Sequence, residues 1–239
     1  MAYADLHCHL LWATDDGARD QDESLRLCEL LVEHGFSDAA PTPHAWPELP
    51  SALENATRRA ELQALLDARR IPLQLHPGAE HRLDGALLER VQQGDVRPLG
   101  AGNWVLVEAP HALPLPGLEE LVFRLQIAGL RVLVAHPERC RAFQDDDGLG
   151  RRLTEAGAAL QVEIGALAGH YGRDPRKLAQ RLLGDGLYAV AASDVHRPQS
   201  AEKLLTEGLP LLLKAVGEAG LRTLLDDNPR RVLRGEALS

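Results

Sequence analysis

Histidines and strand-ending carboxylates are the chemically capable residues of this chain. His7 and His9 stand one residue apart in Ala-Asp-Leu-His-Cys-His-Leu, and Ser-Asp-Val-His runs from Ser193 to His196. Between them, His44, Glu80, Glu108 and His136 each close an apolar stretch. Neutral imidazole and carboxylate are the side chains that hold catalytic divalent metals. Alternate residues of a strand face the same side, so His7 and His9 can share one ion. A lone His-x-His is weak, because a histidine satisfied within a core is commoner than a ligand. That bland reading must also place His44, Glu80, Glu108, His136, Asp194 and His196 at strand ends by accident, and buried charges without partners are costly. Asp15 and Asp16 follow in Thr-Asp-Asp-Gly, where Asp-Gly favours a turn. One as ligand and the other as turn-former accounts for both.

The elements that must carry these groups alternate. Apolar runs predict strands over Tyr3–His7, Ser37–Pro43, Leu73–Gly78, Trp104–Ala109, Val132–His136, Ala159–Ile164 and Tyr188–Ala192. Several are almost wholly apolar, as parallel strands buried on both faces should be. Helical spacing appears over Glu23–His34, Ser51–Arg69, Gly85–Gln93, Leu118–Ala128, Arg151–Ala156, Pro175–Leu183 and Ala201–Ala219, with a last helix starting near Asn228 and Pro229. Gly35, Gly94, Gly129, Gly157 and Gly186 stand where left-handed helix stops want glycine. Alternating strands and helices predict an α/β fold with a parallel sheet. Ligands at nearly every strand end, rather than at one crevice, predict a single distorted TIM-like (β/α)7 barrel with a metal site at the C-terminal ends of its strands. No linker divides residues 1–239, so one domain is expected. The Pro-rich stretch Ala109–Pro116 reads as an active-site loop, and Gln144–Gly150 as a solvated turn.

Composition narrows the function. A net charge of −9 argues against nucleic-acid binding. No apolar run is long enough for membrane insertion, and no signal-peptide layout opens the chain, so a cytoplasmic location is the expectation. Cys8, Cys28 and Cys140 form no paired framework. Cys28 reads as core, and alternation turns Cys8 away from its flanking histidines. A cysteine phosphatase needs its phosphate-cradling arginine six residues past the nucleophile, and those positions hold Thr14, His34 and Asp146.

Asp-Leu-His-Cys-His, Asp-Asp-Gly, Pro-Thr-Pro-His, Gly-Ala-Glu, Val-Glu at 107–108, Ala-His-Pro-Glu-Arg, Ala-Ser-Asp-Val-His and Asp-Asn-Pro-Arg span nearly the whole chain. Together they resemble the polymerase and histidinol phosphatase (PHP) superfamily. Within it, the chain looks most like the manganese-dependent protein-tyrosine phosphatases of bacterial capsule and exopolysaccharide loci. Asp-Asp-Gly separates this branch from histidinol phosphatases, which tend to have histidine there. The resemblance implies three divalent metals, Mn first, with Fe or Zn as alternatives. His7, His9, Glu80 and Asp194 would hold one; Glu80, Glu108 and His136 a second; Asp16, His44 and His196 a third. Arg139 and Arg197 match positions expected to face the phosphate, against the common reading of such residues as surface ion pairs. The implied substrate is a phosphotyrosine protein, the tyrosine-rich tail of a bacterial tyrosine autokinase. The sequence does not show an oligomeric state. Two departures stand out: relatives often carry Asn or Thr at Glu163 and Ser at Ala166. Glu163 is either an extra carboxylate near the site or a residue anchored to a neighbouring strand.

The expected reaction is attack in line on phosphorus by a metal-activated hydroxide, with metals and arginines stabilising the equatorial oxygens. Four acids, Asp16, Glu80, Glu108 and Asp194, and one hydroxide leave three divalent ions with about one positive charge, which suits a phosphate dianion. His81, His111 and His170 are loop candidates for a general acid, or ordinary surface histidines. An amidohydrolase would bridge two metals with a carbamylated lysine, yet Lys177, Lys203 and Lys214 all lie far from the fourth strand. The remaining alternatives are a small-molecule phosphomonoesterase such as a histidinol phosphatase, a PHP nuclease, and a non-catalytic scaffold. A scaffold would tolerate missing ligands, but all nine positions hold competent side chains.

Overall fold

A computed structural model describes residues 2–46, 49–113 and 115–238. Of the predicted loop at Ala109–Pro116, Pro114 lies outside the described residues, as do Met1 and Ser239 of the expected domain. The order is β1 Tyr3–Cys8, α1 Gln21–Glu33, β2 Phe36–Pro41, α2 Ala52–Arg69, β3 Gln74–Leu75, β4 Glu80–Arg82, α3 Gly85–Gln92, β5 Trp104–Glu108, α4 Leu118–Ile127 and β6 Arg131–Ala135. A 3-10 turn, Pro137–Arg139, then leads to α5 Arg141–Asp145, α6 Leu149–Glu155, β7 Ala159–Glu163, α7 Ile164–Ala168, α8 Arg173–Gly184 and β8 Tyr188–Ala192. The chain ends in α9 Pro198–Arg222, a π-helical turn Thr223–Asp227 and α10 Asn228–Leu233. All strand pairings are parallel: β1-β2-β3 in one sheet and β4-β5-β6-β7-β8 in another.

Every predicted strand has a counterpart, with one split. The run expected over Leu73–Gly78 forms only β3, and β4 begins beyond it at Glu80. Pro77 has no N–H to give a ladder, and Gly78 is pressed so close to Thr42 and Pro41 that a Cβ would lie 3.0 Å from Thr42 Cγ2. Backbone hydrogen bonds still join the two sheets here, from Ala45 N to Glu80 O and from Glu80 N to Pro43 O. At the other margin, Asp194 N donates to His7 O and His9 N to Val195 O. Two short helices were not expected, α5 and α7. The first shortens the solvated turn read at Gln144–Gly150, and Gly150 is buried in α6. The second takes Ile164 from the predicted strand. All five glycines read as helix stops have positive φ, from 68° to 92°.

Alternation explains where the core sits. On β5, Val105 and Val107 face the helices, while Trp104 and Leu106 join Leu6, Leu133, Ala159 and Val190 in a second apolar cluster. The next residue on that inner face is Glu108. The inner column therefore changes from apolar to acidic toward the C-terminal end of the strand. The far end is covered by the C-terminal segment: Val232 and Leu233 join the inner cluster, and Trp104 Nε1 donates to Glu236 O at 2.8 Å. Cys28 is buried core, and Cys8 packs outward with its thiol on Ala40 O, as alternation requires.

Asp5 ties the two margins together. Its fully buried carboxylate accepts from His7 N (3.2 Å), Ser193 N (3.1 Å) and the Ser193 hydroxyl. Burial pushes its pKa up to about 6 even with these donors present. Asp5→Ala would strand buried donors of β1 and of the segment after β8. We expect a loss of about 2–3 kcal/mol in urea unfolding, the cost of orphaned buried hydrogen-bonding groups.

Candidate metal centre

The nine residues read as ligands come together: His7 and His9 from the end of β1, Asp16 from the loop after it, His44 after β2, Glu80 at the start of β4, Glu108 at the end of β5, His136 after β6, and Asp194 and His196 after β8. Glu80 is the hub. Its buried Oε2 lies 3.0 Å from His44 Nδ1, 3.3 Å from His7 Nε2 and 3.7 Å from His9 Nε2, and its Oε1 lies 3.2 Å from His136 Nε2. Asp194 Oδ1 is 3.2 and 3.3 Å from the same His7 and His9 nitrogens. Asp16 Oδ1 faces His44 Nε2 at 3.4 Å and His196 Nε2 at 3.5 Å. Glu108 Oε2 is 4.0 Å from His136 Nε2. Asp16, His44, Glu80, Glu108, His136, Asp194 and His196 line one cavity of about 490 Å³ together with Trp46, Arg82, Pro110, His111 and Arg139, and His7 and His9 lie behind it against Glu80 and Asp194.

Several features fit divalent cations. Four-residue and three-residue sets with mutually close donor atoms are His9, Asp16, His44 and His196; His7, His9 and Asp194; and His7, Glu80 and His136. His7 Nε2 and His9 Nε2 confront each other at 3.3 Å, an arrangement that two bare lone pairs would resist. Asp194 Oδ1 and His44 Nδ1 are buried without a hydrogen-bond partner, although charged neighbours are close, because they aim into a common space rather than at one another. In three of the histidines the other ring nitrogen is already committed, whereas His136 Nδ1 is buried without a partner. His7 Nδ1 meets Gln161 Oε1 at 3.0 Å, His9 Nδ1 meets Asp15 Oδ2 at 2.7 Å, and His196 Nδ1 meets Asp194 O at 2.8 Å. Such outer contacts fix the ring and leave Nε2 as the donor.

This resolves the Asp-Asp-Gly alternative. Asp15 is the buried turn-former that also orients His9 and accepts from Gly17 N and His44 N. Asp16 is exposed and faces the two outer imidazoles. Gly17 is required, since a Cβ there would lie 2.4 Å from His9 O. His136 and Asp194 are held at φ 29° and 53°, left-handed values that cost non-glycine residues about 1–3 kcal/mol. Strain of this kind turns a strand-end side chain back over the sheet.

The electrostatics are those of an acid-rich cage that gathers positive charge. Burial disfavours charged His7, but the Glu80 and Asp194 carboxylates override it and push the pKa up to about 9. Burial likewise opposes charge on His9 and His44; Asp15 pushes the first, and Asp16 with Glu80 the second, up to about 10. Burial and the neighbouring Glu80 charge raise Glu108 to about 7.

Arg139 lies at the cavity wall, with one guanidinium nitrogen 2.7 Å from Asp194 Oδ2 and 3.1 Å from Glu163 Oε2, and its guanidinium carbon 4.4 Å from the centre of the Tyr171 ring. Glu163 is thus anchored to the arginine of a neighbouring strand end. Burial, and then the Asp194 charge, hold its carboxyl well above the usual range. Arg197 is not brought to the cavity. It steps one residue past inward-facing His196 and pairs instead with Glu23 Oε2 at 3.0 Å. Of the three candidate general acids, only His111 lines the cavity, and burial lowers its pKa to about 4. His81 is buried against the Arg97 backbone, and His170 pairs with Glu207. Sequence reading missed Gln161, Trp46 and Arg82 as site residues. Trp46 and Arg82 each lie two positions beyond a candidate ligand, His44 and Glu80, the signal alternation offers.

Metal must compete with protons for His7, His9 and His44. Adding Mn²⁺ to chelator-stripped protein near pH 7 should release protons, readable with an indicator dye. The release should decline as pH rises toward 9–10, where these imidazoles are already neutral. The same protons stabilise the stripped protein: their contribution is full below the ordinary histidine value and is lost as pH rises through about 9–10. Gly17→Ala should weaken Mn²⁺ binding by about tenfold or more in titration calorimetry, because outer-contact losses carry that cost.

Comparison with known proteins agrees with this geometry. Residues 3–234 match the family model described as capsular polysaccharide synthesis, CpsB/CapC. Tyrosine-protein phosphatase YwqE of Bacillus subtilis is 31% identical over 238 residues, covering 98% of this chain and 92% of that protein. Tyrosine-protein phosphatase CpsB of Streptococcus pneumoniae is 22% identical, covering 98% of this chain and 99% of that one. A solved chain from the work on YwqE and CpsB, described as unique metal-dependent tyrosine phosphatases, superimposes with a TM-score of 0.90 at 30% identity, covering 99% of this chain and 96% of that one. Zinc-bound histidinol phosphate phosphatase of Lactococcus lactis, at 13% identity and a TM-score of 0.58, shares the fold. With its cage of imidazoles and carboxylates in place, this chain belongs to the CpsB/CapC family of capsular polysaccharide synthesis proteins.

Proposed function

We propose that this protein is a metal-dependent protein-tyrosine phosphatase. The observation that carries the reading is the convergence of Asp16, His44, Glu80, Glu108, His136, Asp194 and His196 on a cavity that Arg139 also lines, with His7 and His9 directly behind Glu80 and Asp194. Family membership supports it, since the similar proteins YwqE and CpsB are named tyrosine-protein phosphatases. We assign the nine residues to three divalent ions, with Glu80 shared between two of them and manganese as the preferred metal. Two hydrogen-bonded junctions, at Ala45–Glu80 and at His7–Asp194, support reading the two sheets as one barrel. β3 and β4 then form a single interrupted stave, which makes seven, within one domain over 1–239.

Bound by these residues, divalent ions would supply an activated water near neutral pH and charge to offset that of the phosphate oxygens. The chain's own residues supply the rest. Arg139 presents a guanidinium at the cavity wall, and Glu163, Asp194 and Tyr171 hold its plane still, so that it meets a phosphate without reorganising. Arg197 would join it only after leaving Glu23. His111, neutral at physiological pH, can donate an N–H to the departing phenolate oxygen. A phenolate is a good leaving group, so a strongly acidic donor is unnecessary. The substrate we favour is the phosphorylated, tyrosine-rich tail of a bacterial autokinase in exopolysaccharide production. That places the enzyme in the cytoplasm, where a kinase finds its ATP. Among the described residues, no helix is long and apolar enough to cross a membrane.

Turnover of phosphotyrosine peptide and of histidinol phosphate, each with Mn²⁺ and after chelation, tests the reading. We expect metal-dependent hydrolysis with phosphotyrosine preferred by at least about tenfold in kcat/KM, a difference of one or two polar contacts. Preference for histidinol phosphate would sink the substrate choice, and equal negligible rates with and without metal would sink catalysis. Glu80→Gln should lower metal content and reduce kcat by about a thousandfold, the scale of losing electrostatic stabilisation in an active site. Full activity in that variant would show Glu80 to be misassigned.

A further inference from the structure

We propose that Arg82, laid over Trp46 at the mouth of the cavity, is an anion-binding subsite for a negative group carried beside the scissile phosphotyrosine. This rests on the phosphatase reading above and adds a determinant of substrate choice.

Strand geometry sets the position. On β4, Glu80 faces inward, His81 turns away against the Arg97 backbone, and Arg82 returns to the side of Glu80. Two residues of strand carry it about 7 Å further out than the hub of the cage. A phosphate bound beside Glu80 would therefore place the rest of its substrate at the level of Arg82. Trp46 fixes the guanidinium there. Its ring stacks on His44, with centroids 4.2 Å apart and planes 18° from parallel, and the Arg82 guanidinium carbon lies 4.4 Å from the ring centre. The stack joins a proposed metal ligand, an aromatic wall and a cation in one rigid column. Arginine held over an aromatic face loses less freedom when it binds.

The three arginines near the site differ in what holds their charge. Arg139 is bound by Glu163 and Asp194, and Arg197 by Glu23. Arg82 forms no ion pair among the described residues, is exposed, and lines the same cavity as Glu80, Glu108 and Arg139. Its donors are thus available to a carboxylate or a second phosphate. Trp46, Pro110 and His111 line the space between and offer flat surfaces to a phenyl ring.

The test compares kcat/KM of the full-length, Mn²⁺-loaded enzyme on phosphotyrosine peptides differing only in flanking residues: glutamate, a second phosphotyrosine, glutamine or lysine. Each ratio is taken on one preparation, so metal loading cancels. We expect anionic flanks to be favoured over neutral ones by about tenfold, the worth of one charge-assisted hydrogen bond. The ratio should fall to near one in Arg82→Gln, and Arg82→Glu should favour lysine flanks. A gain with the second phosphotyrosine alone assigns the subsite to a phosphate dianion, and a gain with both to anions in general. A ratio unchanged by Arg82→Gln, or no flank preference in the wild type, overturns the inference while leaving the phosphatase standing. Absence of wild-type turnover on every peptide overturns both.

Discussion

Glu80 sits at the centre of this molecule's chemistry because four imidazoles surround one fully buried carboxylate. Neither charge type could occupy that space alone without a heavy desolvation cost. Glu80 Oε1 is hydrogen-bonded to His136 Nε2, while His44 Nδ1 and Asp194 Oδ1 are buried beside it without a hydrogen-bond partner, positions a cation would satisfy. Much else follows from holding that hub in place. Gly78 admits β4 against β2, the Glu80 backbone bonds to Pro43 and Ala45, and Asp5 secures the opposite margin where His7 meets Asp194.

Around the hub lies a graded set of supports. Asp15, Gln161 and the Asp194 carbonyl each take one nitrogen of a histidine and so decide which nitrogen faces inward. A further buried layer serves Arg139. Glu138 accepts from Glu163 N and from the Tyr188 hydroxyl, and Glu163 in turn holds the arginine. Burial pushes the Glu138 carboxyl up to about 7, so this support is costly in charged form. Two buried acids around one guanidinium fix its position at a desolvation cost, so the group is weak evidence for added stability.

The inner face of the strands shows how one pattern serves two ends. Toward the strand starts it is apolar and is covered by Val232, Leu233 and the segment beyond them. Further along it becomes Glu108 at the end of β5, and Gln161 and then Glu163 on β7, while Glu80 opens β4. The close approach of Gly102 to Gly235, where a Cβ would lie 2.2 Å from the opposing Cα, lets the tail seal the apolar end. Stability and function are thereby separated along the same strands.

The types of the residues that gather at the site, the alternation of strands and helices and the helix stops were legible in the sequence, because they depend on residue type and local period. The His-x-His pair and the acids stood out at once as metal-competent types, whereas Asp-Asp-Gly did not say which aspartate would turn inward onto His9 and which would face His44 and His196. What required tertiary structure were the choices made by non-local contact. Arg197 pairs with Glu23 across the fold, Glu163 is claimed by Arg139, and Leu73–Gly78 breaks because Thr42 crowds Gly78. Residue type sets what a side chain can bind; only the packed chain decides which of its possible partners lies within reach.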